Sequence, residues 1–256
     1  MSIGKSCEVL FSPAEFQALS KRDLSRAVCV VFDILRATTS MTIALANGAA
    51  AVLPVNDIPG ALALRAKFPD ALLAGERHGL RIGAELTGGV EFDLGNSPRE
   101  FTRGKVAGRT LIMTTTNGTR ALQACAGAKQ VFIGAFPSLA ATTRAVLAAK
   151  PEQLFLVCAG TYEEAAYEDT LAAGAMADLV WDHFGESAMA DSVAIARNVW
   201  LGAKADLGGA IRHSRNGRRL LAHAELNADV AVCLQRDTVQ IVATMSDGVV
   251  GIRTGV

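Results

Sequence analysis

Between residues 28 and 184, short apolar runs rich in β-branched residues alternate with segments whose apolar residues recur at helical spacing. This alternation constrains the fold more than any other feature. The runs at 28–32, 50–55, 71–75, 109–115, 130–134 and 153–158 read as strands, most of them without the in–out alternation of a half-exposed sheet. Such runs are covered on both faces. Helical patterns follow at 37–46, 61–68, 121–125, 139–149 and 171–184. The order predicts a three-layer α/β/α domain with a largely parallel or mixed sheet. In such folds ligands sit beyond the carboxyl ends of the strands.

Residues 27–46 show what this grammar delivers. The run Val28-Cys29-Val30-Val31-Phe32 ends at Asp33, and Arg36, Thr38 and Thr39 follow within seven residues. Met41, Ala44 and Leu45 then recur at helical spacing, and Asn47-Gly48 makes a helix C-terminus. A strand therefore brings an acid, a cation and two hydroxyls to a helix mouth, where unpaired N–H groups favour an anion. Asp33 would repel that anion, so its chemical roles are metal ligand or nucleophile. The structural alternative is that Asp33 caps the helix and Arg36 pairs with it.

The bulk properties exclude several classes. Net charge is zero over 256 residues and no Lys/Arg run occurs, so a nucleic-acid partner is not expected. The first twenty residues carry Lys5, Glu8 and Glu15 and read as neither signal peptide nor membrane span. The five cysteines, 7, 29, 125, 158 and 233, form no CxxC pair, which fits free thiols in a reducing cytoplasm. Cys158, at the end of a buried run, reads as a small core residue rather than a nucleophile. The Ala-rich, weakly charged chain is compatible with a homo-oligomer such as a homodimer. One domain is expected over 1–256, with the C-terminal part from about residue 190 forming a smaller subdomain that closes the site.

Residues 75–97 lack periodicity and contain six glycines. A loop that long is expected to do something. At its end, Ser97 and Glu100 have the spacing of a capping box with Pro98 at the first helical position. Asp93 and Asn96 have no such structural reading. Asp57 before Pro59, and Ser138, read as helix N-caps, and 239–243 and 249–253 read as closing strands.

Four polar clusters fall at strand ends: residues 33–39, Glu76-Arg77, residues 114–120, and 158–161 with Glu168-Asp169. Three arginines (Arg36, Arg77 and Arg120) beside Thr hydroxyls suit a multiply charged anion. Four carboxylates (Asp33, Glu76, Glu168 and Asp169) suit a hard cation such as Mg²⁺. No Ser-His-acid pattern is visible, and the combination points to phosphoryl chemistry. An idle anion-binding domain, and a phosphotransferase or isomerase of phosphorylated acids, are the competing functions.

The motifs Phe32-Asp33-Ile34-Leu35-Arg36-Ala37-Thr38-Thr39, Gly75-Glu76-Arg77, Phe92-Asp93-Leu94-Gly95-Asn96-Ser97-Pro98, residues 114–122, Cys158-Ala159-Gly160-Thr161, Glu168-Asp169-Thr170 and Gly217-Arg218-Arg219-Leu220 resemble the signature blocks of the 2-phosphosulfolactate phosphatases. The resemblance covers roughly residues 28–237, with a longer loop at 83–91 and a weakly matching tail. It implies the family's α/β/α fold and a Mg²⁺-dependent hydrolysis of (2R)-2-phospho-3-sulfolactate to 3-sulfolactate and phosphate, the second step of one coenzyme M route. With the clusters, it implies Asp33, Arg36, Glu76 and Asp169 as catalytic. Arg36, Thr38, Thr39, Arg77, Asn96, Thr115, Thr116, Asn117, Gly118, Thr119, Arg120, Gly160, Thr161 and Arg218 are expected to hold the substrate. Asp33, Glu76, Glu168 and Asp169 are expected to hold the metal.

Overall fold

A computed structural model describes residues 5–253. Its ten strands form one sheet in the order β1-β8-β2-β7-β9-β10-β3-β6-β4-β5. They are β1 (Ser6–Leu10), β2 (Ala27–Phe32), β3 (Ala51–Pro54), β4 (Leu72–Arg77), β5 (Leu80–Arg81), β6 (Thr110–Thr114), β7 (Gln130–Gly134), β8 (Gln153–Cys158), β9 (Ala243–Ser246) and β10 (Val249–Ile252). The helices are α1 (Pro13–Gln17), α2 (Ala37–Ala46), α3 (Ile58–Lys67), α4 (Ala84–Thr87), α5 (Arg103–Val106), α6 (Gly118–Ala124), α7 (Leu139–Ala148), α8 (Tyr167–Phe184), α9 (Asp191–Ala203), α10 (Leu207–Ala210), α11 (Arg215–Leu221) and α12 (Asn227–Cys233). Among the described residues, no helix is long and apolar enough to cross a membrane.

The sheet is mixed, and the mixing has a pattern. β1, β8, β2 and β7 are mutually parallel, and so are β3, β6 and β4. Between these blocks lies the hairpin β9–β10, antiparallel to β7 on one side and to β3 on the other. The expected closing strands thus sit mid-sheet. The first begins at Ala243 rather than residue 239, because Val239 instead donates to the Pro137 carbonyl at 3.0 Å. Three successive antiparallel pairings make the two parallel blocks run in opposite senses, so in a flat sheet their carboxyl ends would lie on opposite edges.

The two blocks share a core around α2. Met41, Ala44 and Leu45 pack in one cluster with Val31 of β2, Val52 of β3 and both Leu111 and Met113 of β6. Eight of the ten α2 residues are buried, and a helix buried on all sides must be small and uncharged, as Ala37, Thr38, Thr39, Ser40 and Thr42 are. The sheet curls around this helix, with twist accumulating strand by strand. The opposite face of the first block packs on α7, α8 and α9. That of the second packs on α3. This is the expected three-layer arrangement, with its inner layer wrapped rather than flat.

Two expected caps take other partners. Glu100 accepts from Gly95 N at 2.9 Å instead of closing a capping box with Ser97, whose hydroxyl donates to Asp229 Oδ1 at 2.6 Å. Ser138 makes no cap bond, and its hydroxyl lies 3.4 Å from that of Thr142. Asp57 does cap α3, accepting from Gly60 N at 2.7 Å. Asp93 proves structural: it accepts from Leu73 N at 2.8 Å and pairs with Arg65 at 3.3 Å.

Candidate active site

Because the sheet curls, the carboxyl end of β2 meets the loops after β4, β6 and β8. They surround an open cleft of about 480 Å³ counting its mouth. Of the residues expected from sequence, Asp33, Arg36, Glu76, Asn96, Thr116, Asn117, Gly160 and Thr161 lie in its wall. So do Leu35, His78, Gly79, Tyr162, Asn216 and Arg219.

Asp33 follows β2 directly. Its Oδ1 accepts from Ala37 N at 3.1 Å, the first residue of α2, and Thr38 Oγ1 accepts from Asp33 N at 2.9 Å. Oδ2 has no hydrogen-bond partner among the described residues. The start of α6 abuts it: a Cβ on Gly118 would stand 2.6 Å from Oδ2 and 2.7 Å from the Ala37 Cβ. Gly118 is therefore the residue that lets α6 approach the acid. Burial is the largest influence on the Asp33 carboxyl and pushes its pKa up to about 7; Glu76 and Glu168 add to the rise, while the Ala37 N–H and Arg36 oppose it.

Glu76 faces the cleft from the end of β4. Its Oε1 accepts from Thr116 N at 3.0 Å and Thr116 Oγ1 at 2.9 Å, and its Oε2 from Gly79 N at 2.8 Å. The other two acids are placed differently. Asp169 accepts from Ile34 N at 2.8 Å and from Gly160 N at 3.1 Å, so it ties the end of β2 to the end of β8 from behind the wall. Burial, then Glu168 and Asp33, hold its pKa well above the carboxylate range. Glu168 accepts from the Ser214 hydroxyl and from Asn216 Nδ2 at 2.7 Å, which docks α11 onto the site.

The arginines also divide. Arg36 is buried in the wall, donating from Nη1 to Asp229 Oδ2 and from Nη2 to Gly79 O, each at 2.6 Å. Asp229, wholly buried on α12, also takes Arg99 Nε at 2.7 Å. Arg77 turns back to Glu76 O at 2.6 Å and Thr114 Oγ1 at 3.1 Å. Arg120 pairs with Glu163 at 3.0 Å at the surface, and exposed Arg218 donates to His213 O at 2.7 Å. None of these last three lines the cleft.

Several hydroxyls expected to touch substrate serve the backbone instead. Thr39 Oγ1 donates to Ile34 O at 3.0 Å, and Thr119 Oγ1 to Thr115 O at 3.2 Å; Thr115 Oγ1 accepts from Thr119 N at 3.3 Å. With the Thr38 bonds, they hold the turns that aim Asp33 and Thr116. Asn117 Nδ2 donates to Ala159 O at 3.0 Å and Tyr162 O at 2.9 Å, linking the β6 and β8 loops. Thr161 Oγ1 accepts from Asn216 Nδ2 at 2.6 Å. The Cys158 thiol is wholly buried, and burial pushes its pKa well up, so it stays a neutral core group.

Among the described residues, three buried side-chain polar atoms lack a hydrogen-bond partner: Asn96 Oδ1, Asn117 Oδ1 and Arg219 Nε. All three residues line the cleft. Buried polar groups are ordinarily paired, so their gathering in one cleft marks a ligand site. Among the described residues, no group of three or more Asp, Glu, His or Cys is arranged to hold a metal. Two acids nonetheless reach the cleft, Asp33 and Glu76. Mg²⁺ asks for one or two carboxylates, completing its shell with water and substrate oxygens, so this oxygen set fits that ion.

Sequence reasoning missed Asp229 and Ser214. Asp229 stands between Ala228 and Val230, Ser214 lies within the polar run 212–216, and the importance of each comes from a partner 193 residues away for Asp229 and 46 for Ser214. The glycine at 79 carried a local signal, since the loop around it is glycine-rich.

Comparison with known proteins identifies the family. A family model described as 2-phosphosulpholactate phosphatase matches residues 14–248. The chain is 38% identical to a probable 2-phosphosulfolactate phosphatase of Prochlorococcus marinus (strain MIT 9313) over 83% of this chain and 86% of the relative. It is 40% identical to that of Deinococcus radiodurans, over 86% and 88%. It is 34% identical to that of Caldicellulosiruptor saccharolyticus, over 89% and 92%. With that match over most of its length and these relatives, the chain belongs to the 2-phosphosulfolactate phosphatase family.

Proposed function

We propose that the chain is a phosphoric monoester hydrolase that converts 2-phospho-3-sulfolactate to 3-sulfolactate and phosphate, with Mg²⁺ held by Asp33 and Glu76. The observation that carries this reading is the convergence of those two acids on a cleft whose wall holds three unpartnered buried polar atoms. An idle anion-binding domain has no use for carboxylates facing its ligand. Relatives named as phosphatases of this ester support the substrate.

The protein's own contribution is placement. Thr38 and the Ala37 N–H fix Asp33, Thr116 and Gly79 N fix Glu76, and Asp169 locks the backbone on which Asp33 stands. A bound Mg²⁺ would offset the acids' charge and acidify the attacking water. Asp33 then either holds that ion or attacks phosphorus itself. Phe32-Asp33-Ile34-Leu35 has no second Asp two residues on to serve as acid, which favours the water route. Stereochemistry at a chiral phosphorus separates the two, with inversion expected for water and retention for a phospho-Asp33 intermediate.

The testing experiment is phosphate release from 2-phospho-3-sulfolactate. Release should stop with EDTA and return with added Mg²⁺ or Mn²⁺. Full activity in a metal-free preparation would remove the metal from the proposal, and no release under any metal would remove the phosphatase reading.

A further inference from the structure

We infer that Arg219, rather than any arginine at the strand ends, reads the second acid group of the substrate and sets the preference for polyacidic phosphate esters. This rests on the phosphatase reading above and assigns the specificity of the same cleft. Two arginines line the cleft, and they differ in what is left for a ligand. Arg36 is committed: Asp229 and the Gly79 carbonyl take its two terminal nitrogens. Arg219 forms no ion pair and no side-chain hydrogen bond among the described residues, and its Nε is buried without a partner. A guanidinium left open in this way offers parallel N–H donors, the arrangement that an oxyanion satisfies in bidentate fashion.

The surroundings hold Arg219 at the cleft. Its helix, α11, is anchored by Ser214, which accepts from Gly217 N at 3.0 Å and donates to Glu168. Beside it, Asn216 bonds both Glu168 and Thr161. Gly217 packs so tightly that a Cβ there would lie 2.2 Å from Ile211 O. The guanidinium lies against Gly79, whose φ of +85° suits glycine, and a Cβ at that position would stand 3.8 Å from Cζ, Nε and Nη2. Asp33 and Glu76 come from the strand ends and, in the proposed function, would hold the Mg²⁺. Arg219 comes from the C-terminal region and is the cation left for a carboxylate or sulfonate on the same molecule. A simple phosphate ester would leave it unpaired.

The test is the ratio of kcat/KM for 2-phospho-3-sulfolactate over glycerol 2-phosphate, which lacks a second acid, in wild type, R219K and R219Q. R219Q should lower the ratio roughly tenfold or more, the scale of one charged hydrogen-bonded contact, chiefly through KM. R219K should fall between, since it keeps charge and loses the fork. An unchanged ratio in R219Q overturns the inference. Calorimetric titration with 3-sulfolactate separates this from the phosphatase reading, because it needs no turnover. Binding by wild type that weakens by the same factor in R219Q supports Arg219 even if no ester is hydrolysed. Equal affinity in the two, or none in wild type, overturns it.

Discussion

Asp33→Asn should make the metal-free protein more stable at pH 8 while removing most of its activity. The Asp33 carboxyl has its pKa raised from 3.8 to about 7, first by burial and then by the neighbouring acids. The raised value means that between about pH 4 and pH 7 the folded chain keeps a proton the unfolded chain has released. Folded stability therefore falls as pH rises through that window, and stays at its lower level above pH 7. A shift of roughly three units at about 1.4 kcal/mol each gives a ceiling of about 4 kcal/mol. Asp33 opens onto the cleft, so solvent screening brings the expected gain to about 2 kcal/mol. Asn keeps the acceptor for the Ala37 N–H and carries no charge. Urea unfolding in EDTA, followed by the fluorescence of Trp181 and Trp200, would show the mutant's advantage near zero at pH 4 and fully developed above pH 7. A mutant no more stable than wild type at pH 8, or an advantage independent of pH, would refute the account of Asp33 as a strained acid.

Two further substitutions probe the frame. Gly118→Ala places a methyl where Asp33 Oδ2 and the Ala37 Cβ already stand, so about 1–3 kcal/mol of overpacking and a clear loss of kcat are expected, measured by urea unfolding and steady-state kinetics. Asp229→Ala strips the carboxylate from a wholly buried pair with Arg36, with an expected cost of about 3–5 kcal/mol; a loss under about 1 kcal/mol would show that Arg36 finds another partner.

Strand cores were legible because they are local. β7 and β8 fall on the bounds their apolar runs dictate, and Asp57 caps α3 as its spacing requires. The capping box at Ser97 was legible and misleading. Its local pattern competes with a buried partner 132 residues away, Asp229, which takes the hydroxyl. The same competition hides the fate of Arg36, since adjacency to Asp33 suggests a pair that Asp229 claims instead. The insertion of β9–β10 between two opposed parallel blocks was not legible, because short edge-like strands carry no mark of which strands they will join. Polar residues from four strand ends do gather around one cleft. They converge through the curl around α2 rather than along one edge of a parallel sheet.

The acids show why such a cleft is built from unequal parts. Asp169 and Glu168 do not line the cleft, and their oxygens are engaged by Ile34 N, Gly160 N, Ser214 and Asn216, so they act as braces, one for the β2 end and one for α11. Asp33 sits close enough to Glu76 and Glu168 to be pushed toward protonation. The cation that eases it, Arg36, is already shared with Asp229. Burial is the first cause of that push, and repulsion from the two neighbouring acids adds to it. Apolar replacements would relieve that repulsion, as they do at other buried charges. A ligand that brings positive charge would relieve the same repulsion while keeping the acids. The proposed pairing of a divalent cation with a polyanionic ester meets both demands, the cation relieving Asp33 and Glu76 while the ester's oxygens satisfy the unpartnered Arg219.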